Sequence, residues 1–130
     1  MRIEHMAFNV PDPVAMTQWY EQHLGMKTVR SSGPPHHMRF VADGSGQTML
    51  ELYRNPKASV PDYRAIDPLV MHLAFHVADV PGTRAGLLKA GATAEGEITK
   101  TDSGDELAML RDPWGFAIQL VNRAVPMLPT

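Results

Sequence analysis

Two stretches of the chain carry imidazoles inside otherwise apolar, strand-like runs: IEHMAFNV, residues 3–10, and MHLAFHV, residues 71–77. Side chains alternate along a strand. His5, Ala7 and Asn9 therefore share one face, and Met6, Phe8 and Val10 the other. In the second stretch His72, Ala74 and His76 face one way, and Leu73, Phe75 and Val77 the other. Two further strand-like runs behave alike. Met49, Glu51 and Tyr53 share a face, as do Ala117, Gln119 and Val121, while Leu50, Leu52, Ile118 and Leu120 supply the apolar sides. A buried carboxylate is costly without a partner. Histidine with glutamate in one half, and histidine with glutamine in the other, predict one converging polar site. It should lie on the sheet faces turned away from the helices that cover the apolar sides.

The elements that must position these residues occur twice. His72 follows His5 by 67 residues and Phe75 follows Phe8 by the same interval, while Gln119 follows Glu51 by 68. In the first half a strand is predicted over 2–10. Asp12 is a helix N-cap with Pro13 in the first turn, where a missing N–H costs nothing. Met16, Trp19, Tyr20 and Leu24 follow at helical spacing, and Gly25 suits a C-cap. Strands are expected over 26–32, 38–42 and 47–54, the last two joined by Asp43-Gly44-Ser45-Gly46, a hairpin signal. The second half reads as a strand over 70–77, a helix from Asp79 to Gly91, and strands over 92–101, 106–111 and 116–122. Asp112-Pro113-Trp114-Gly115 turns the last hairpin. Each half is thus βαβββ. The 11 prolines fall at caps, turns, the connection and the tail, never inside a proposed strand. The expected organisation is one domain over 1–123, made of modules 1–54 and 69–123. Residues 55–68 connect the modules, as a strap or a lid, and 124–130 form a tail.

Composition narrows the function. The 130 residues suffice for one domain with its own core. A hydrophobic content of 44% and a charged content of 20% fit a globular chain. A net charge of −2 argues against nucleic acid as a partner, since phosphate binding needs a basic face. No apolar run approaches the roughly 18 residues of a membrane span. The start, MRIEHMAFNV, does not read as a secretory leader, and a cytoplasmic location is expected. Cysteine is absent, which removes disulfides, thiolate ligands and a cysteine nucleophile.

The chain resembles the vicinal oxygen chelate superfamily of glyoxalase I, methylmalonyl-CoA epimerase, extradiol dioxygenases and bleomycin- or fosfomycin-resistance proteins. The resemblance rests on IEHMAFNVPD, HLGMK, MLEL, MHLAFHVADV and DPWGFAIQLV, duplicated and in this order. It implies an α+β glyoxalase-like fold, two βαβββ modules forming a cupped mixed sheet around a divalent metal (Zn, Ni, Fe, Mn or Co). By position it implies His5, Glu51, His72 and Gln119 as ligands. Metalloenzyme members commonly have Glu at the last position, so Gln119 is a departure. It implies a homodimer and a small oxygenated substrate chelated through two oxygens, and a lyase or isomerase of the glyoxalase I type. Glu51 would then serve as both ligand and base, because Gln119 cannot accept a proton. Two other activities stay open: an extradiol-type dioxygenase with non-haem iron, and a metal-free small-molecule-binding or antibiotic-resistance protein.

Other residues carry lesser expectations. Asn9, Tyr53 and His76 are candidate substrate-pocket residues. His36 and His37, after Pro34-Pro35, are expected to be exposed in a turn, with a role at the pocket mouth as the alternative. Trp19 and Tyr20 read as helix–sheet core, and Met38, Met49 and Met109 as core or an adaptable pocket lining. Arg39, Arg54 and Arg111 are expected at the surface, where they could meet an anionic substrate.

Overall fold

The computed structural model describes residues 1–129; residue 130, the end of the expected tail, lies outside them. The chain divides into two compact units, Met1–Pro61 and Asp62–Thr130. The first contains β1 (His5–Asn9), α1 (Pro13–Leu24), β2 (Lys27–Ser31), β3 (Arg39–Ala42) and β4 (Met49–Tyr53). The second contains a short 3₁₀ turn (Tyr63–Ala65), β5 (Leu73–His76), α2 (Val80–Lys89), β6 (Thr93–Lys100), β7 (Glu106–Arg111) and β8 (Ala117–Asn122). Each unit is βαβββ, and each builds its own four-stranded mixed sheet, ordered β1-β4-β3-β2 and β5-β8-β7-β6. No helix among the described residues is long and apolar enough to cross a membrane.

Local chemistry explains the elements. The Asp12 carboxylate accepts from Ala15 N–H and the Asp79 carboxylate from Gly82 N–H, both at 3.0 Å. Each cap satisfies one orphan amide and stabilises its helix by about 1 kcal/mol. Helix α1 ends where Gly25 takes φ 67°, a left-handed conformation that glycine adopts freely. Helix α2 ends one residue before the predicted Gly91, on Ala90. Strand boundaries are shorter than the apolar pattern, above all in β5, where Val70, Met71 and His72 precede the ladder. The hairpin after β3 is knotted by the Asp43 carboxylate, which accepts from Ser45 N–H, Ser45 Oγ and Gly46 N–H.

Burial follows the predicted parity in the first unit, whereas in β8 Ala117 and Val121, on the face of Gln119, are buried as well. In the first unit Phe8, Val10, Val41, Leu50 and Leu52 are buried with Met16, Trp19 and Tyr20 of α1. Burial of each such side chain is worth roughly 1.5–3 kcal/mol. In the second unit Ala108, Leu110, Ile118 and Leu120 are buried, as is Leu87 of α2. Met6 departs from the pattern, being 49% exposed near the start of β1.

Arg111 is a larger departure. It was expected at the surface but is only 7% exposed. Its guanidinium donates to the carbonyls of Tyr63, Gly115 and Ile66 and pairs with Glu95. The buried charge is thereby matched by acceptors, which is the condition for keeping it. Beside it Gly115 has φ 87°, and a Cβ there would lie 2.8 Å from the Cβ of Arg64 and 3.0 Å from its backbone. At the other end of the sheet the Asp105 carboxylate accepts from Arg123 and from Ala124 N–H, tying the start of the tail to the β6–β7 hairpin.

Two predictions follow from this packing. Gly115→Ala combines a disfavoured φ with a backbone clash and should destabilise by about 2–4 kcal/mol. Gly86→Ala, inside α2 with nothing within 4 Å of the new methyl, should instead be neutral or stabilise by about 0.5–1 kcal/mol; urea unfolding of both variants checks the contrast. Asp105 gives a pH signature. The Arg123 guanidinium, the Ala124 amide and Ser103 hold its carboxyl below the ordinary value of 3.8. The folded state therefore favours the charged form. That contribution is present above about pH 4 and is lost as pH falls through the lowered pKa. Between pH 5 and pH 3 the wild type should lose more stability than Asp105→Asn, read as the shift in urea midpoint.

Candidate functional site

The site begins with strand pairing. β1 runs parallel to β4 with Ala7 opposite Glu51 and His5 opposite Met49. His5 and Glu51 are therefore diagonal neighbours on one face, the face away from α1. Met49 N–H donates to the Glu4 carbonyl at 3.0 Å, which carries the ladder back past His5. The ring of Phe40, opposite Glu51 on β3, meets the imidazole edge-on at 5.2 Å.

In this setting His5 Nε2 stands 3.3 Å from Glu51 Oε2. A charge-assisted hydrogen bond is shorter, about 2.7–2.9 Å. Two ligand atoms each about 2.0–2.2 Å from one ion and roughly at right angles stand about 3 Å apart. The pair thus has the separation of neighbouring ligands. The other ring nitrogen, Nδ1, donates to the Glu4 carboxylate. A carboxylate without a proton can only accept, so a hydrogen is placed on Nδ1, and Nε2 is the ring nitrogen turned toward Glu51.

The second unit repeats the pairing with different supports. β5 runs parallel to β8, with Ala74 opposite Gln119. His72, just before β5, holds the position that His5 holds in the first unit. Its Nδ1 donates to the Pro68 carbonyl at 2.8 Å, so Nε2 is again the ring nitrogen left for other contacts. His72, Ala74 and His76 are exposed, and Gln119 is half-buried. Within the described residues no group of three or more His, Cys, Asp and Glu side chains is disposed to hold a metal ion. Taken singly, the first unit presents an imidazole and a carboxylate, a donor set suited to borderline divalent ions. The second presents an imidazole and an amide.

The remaining candidates separate. Tyr53 lines a depression of about 400 Å³ with Ser32, His36, Met38, Glu51 and Asn55. Asn9 is engaged elsewhere: its amide nitrogen lies within 3.0–3.2 Å of the carbonyls of Asn55, Ala58 and Ser59, and its oxygen accepts from Asn55 N–H at 2.8 Å. It fastens the start of the connecting segment. Arg39 and Arg54, expected to be available to an anion, donate to the carbonyls of Ser32, Met38 and Pro11. His36 and His37 are half-buried rather than exposed. His36 was the residue that sequence reasoning undervalued. Its signal was its place in the turn after Pro34-Pro35, just ahead of β3.

A family model for the Glyoxalase/Bleomycin resistance protein/Dioxygenase superfamily matches residues 2–120, and the chain belongs to that superfamily. No curated protein matches the sequence. Solved structures agree on the fold. A glyoxalase/bleomycin resistance protein/dioxygenase family enzyme from Burkholderia phytofirmans PsJN superposes with a TM-score of 0.77 at 19% identity, covering 95% of this chain and 99% of its own. TnmS3, an antibiotic binding protein from Streptomyces sp. CB03234, superposes with a TM-score of 0.72 at 22% identity, over 95% of this chain and 97% of its own. A mutant of glyoxalase I from Zea mays matches with a TM-score of 0.74 at 23% identity, over 95% of this chain and 46% of that longer one.

Removing the Asn9 side chain tests its assignment. Asn9→Ala should cost about 0.5–1.5 kcal/mol, because the carbonyls of Asn55, Ala58 and Ser59 lose their donor. It should also speed hydrogen exchange at the Asn55 amide, measured by NMR.

Proposed function

We propose that the protein is a metal-dependent enzyme of the glyoxalase I type, a lyase or isomerase acting on a small oxygenated substrate. His5 and Glu51 supply one half of the ligand set and His72 and Gln119 the other. When bound, the divalent ion, whether Zn, Ni, Fe, Mn or Co, would act as a Lewis acid toward two substrate oxygens. The observation that carries this reading is the 3.3 Å pairing of His5 Nε2 with Glu51. It is supported by Nδ1 bonds at both histidines, which leave Nε2 as the nitrogen available to a ligand.

The chain's own groups then have distinct tasks. Glu4 and the Pro68 carbonyl hold the two imidazoles in the ligating tautomer. Phe40 fixes the plane of the His5 ring. Glu51 is the only carboxylate among the four positions, and it takes the proton from the carbon beside the substrate carbonyl. Gln119 cannot accept that proton and orients the substrate or completes the ligand set. By the same resemblance the protein works as a homodimer. A second reading, a metal-free small-molecule binder, draws on the depression beside Glu51 and on the likeness to an antibiotic binding protein. The dioxygenase alternative has no observation of its own.

Elemental analysis of protein purified without added metal separates the readings. About one divalent ion per chain is expected, lost in His5→Ala and in His72→Ala and weakened in Gln119→Ala. Glu51→Gln should lower turnover on any substrate found by at least about a hundredfold. No bound ion, with unchanged stability in both histidine variants, would leave the binder as the better account.

A further inference from the structure

We infer that Glu4 supplies the candidate metal site with a second negative charge, delivered through the His5 ring, and so sets how tightly a divalent ion is held. This rests on the function proposed above in taking His5 and Glu51 as ligands. It adds that the charge of Glu4, and not only its hydrogen bond, decides affinity.

The backbone pins Glu4 beside the pair without burying it. Glu4 lies just before β1, and its carbonyl accepts from Met49 N–H at 3.0 Å, which ties it to the start of β4, the strand that carries Glu51. Its side chain is 66% exposed and turns back to His5, where the carboxylate meets Nδ1. Phe40 meets the same ring edge-on at 5.2 Å. Orientation of the imidazole thus has a second source, whereas charge at Nδ1 has none. Among the described residues no lysine or arginine pairs with Glu4 or Glu51. Two carboxylates therefore flank one imidazole, one at each nitrogen, and no cationic side chain of the protein offsets them.

The proposed ligand set gives that charge a use. Glu51 is the only carboxylate among the four ligands, so a divalent ion would keep one unit of positive charge. With an ion on Nε2 the ring hydrogen is on Nδ1, where only an acceptor fits. A carboxylate in that place makes the imidazole a more basic ligand and sets negative charge behind it. The second unit lacks this arrangement, since the acceptor at His72 Nδ1 is the uncharged Pro68 carbonyl. The two imidazoles thus differ as ligands although their strands are equivalent. Outer carboxylates of this kind change metal affinity by roughly 10–100-fold. Solvent screens an exposed charge, which puts the effect of Glu4 toward the lower end of that range.

The test is a titration of the full chain, stripped of metal, with Zn²⁺ and then with Ni²⁺ in competition with a chromophoric chelator. Glu4→Gln keeps the length and an acceptor oxygen but loses the charge, and should weaken binding by about tenfold or more. Glu4→Asp keeps the charge and should retain most of the affinity. Glu97→Gln removes one charge from an exposed glutamate that pairs with Arg84, and should leave affinity unchanged. Urea midpoints of the ion-free variants should match the wild type, so that a loss of affinity is not a loss of fold. A ¹⁵N spectrum of the ion-free chain adds a readout that needs no ion: Glu4→Gln should move the His5 Nδ1 signal and leave that of His72 in place. Wild-type affinity in Glu4→Gln would overturn the inference. So would Glu4→Asp binding as weakly as Glu4→Gln, an equal loss in Glu97→Gln, or an unmoved His5 signal. The two proposals fail differently. An ion lost in His5→Ala but held as tightly by Glu4→Gln as by the wild type sinks only this one. A wild type that binds neither ion, or an ion that survives His5→Ala, sinks the metalloenzyme reading and this one with it.

Discussion

Parallel pairing of the first and last strands of each unit is the constraint on which the other features depend. Parallel neighbours cannot be joined by a tight turn. The chain must leave β1, cross over through α1, and build β2 and β3 before β4 can return beside it. The helix then buries one face of the sheet and leaves the other for chemistry. Register is fixed by the buried face. A slip of one residue would turn Leu50 and Leu52 outward and Glu51 toward α1. The same forces that bury Phe8, Val10 and Leu52 therefore hold His5 and Glu51 on adjacent strands, one diagonal step apart. The position of the polar pair is a by-product of the core.

The second unit inherits the skeleton but not the details. Ala74 opposes Gln119 as Ala7 opposes Glu51. The Nδ1 acceptor is the carboxylate of the preceding residue in one case and a backbone carbonyl in the other. Both acceptors impose the same tautomer, because neither has a hydrogen to give. The supports differ in charge while their geometric effect is shared. Duplication thus keeps the scaffold and lets the electrostatics of the two halves diverge, with a carboxylate at 51 and an uncharged amide at 119.

The segment between the units shows how little of a connection need be loose. Residues 55–59 are held by the Asn9 amide within the first unit. Residues 63–66 are held by Arg111, with Gly115 giving room for the backbone of Arg64, within the second. The division between the units falls at Pro61, inside the stretch that the sequence marks only by its prolines. Polar side chains of ordinary composition do the fastening, and neither looked distinctive in isolation.

Hydrophobic periodicity, caps and turns were enough to determine the βαβββ duplication, the two helices, the hairpins and the shared face of His5 and Glu51. These are local properties: alternation, a carboxylate that caps, a glycine that turns. Other features came from groups far apart in sequence. The order of the strands brings Glu51 to His5 across 46 residues of chain. The burial of Arg111 depends on two carbonyls from a segment more than 40 residues away, Tyr63 and Ile66, and on that of Gly115 in the adjoining turn. The role of Asn9 depends on a loop that begins 46 residues later. His36 gains its place because its carbonyl meets an amide at the end of β4. A pattern along the chain can say which face a side chain occupies. Only the folded backbone brings together the donors and acceptors that decide what it bonds to.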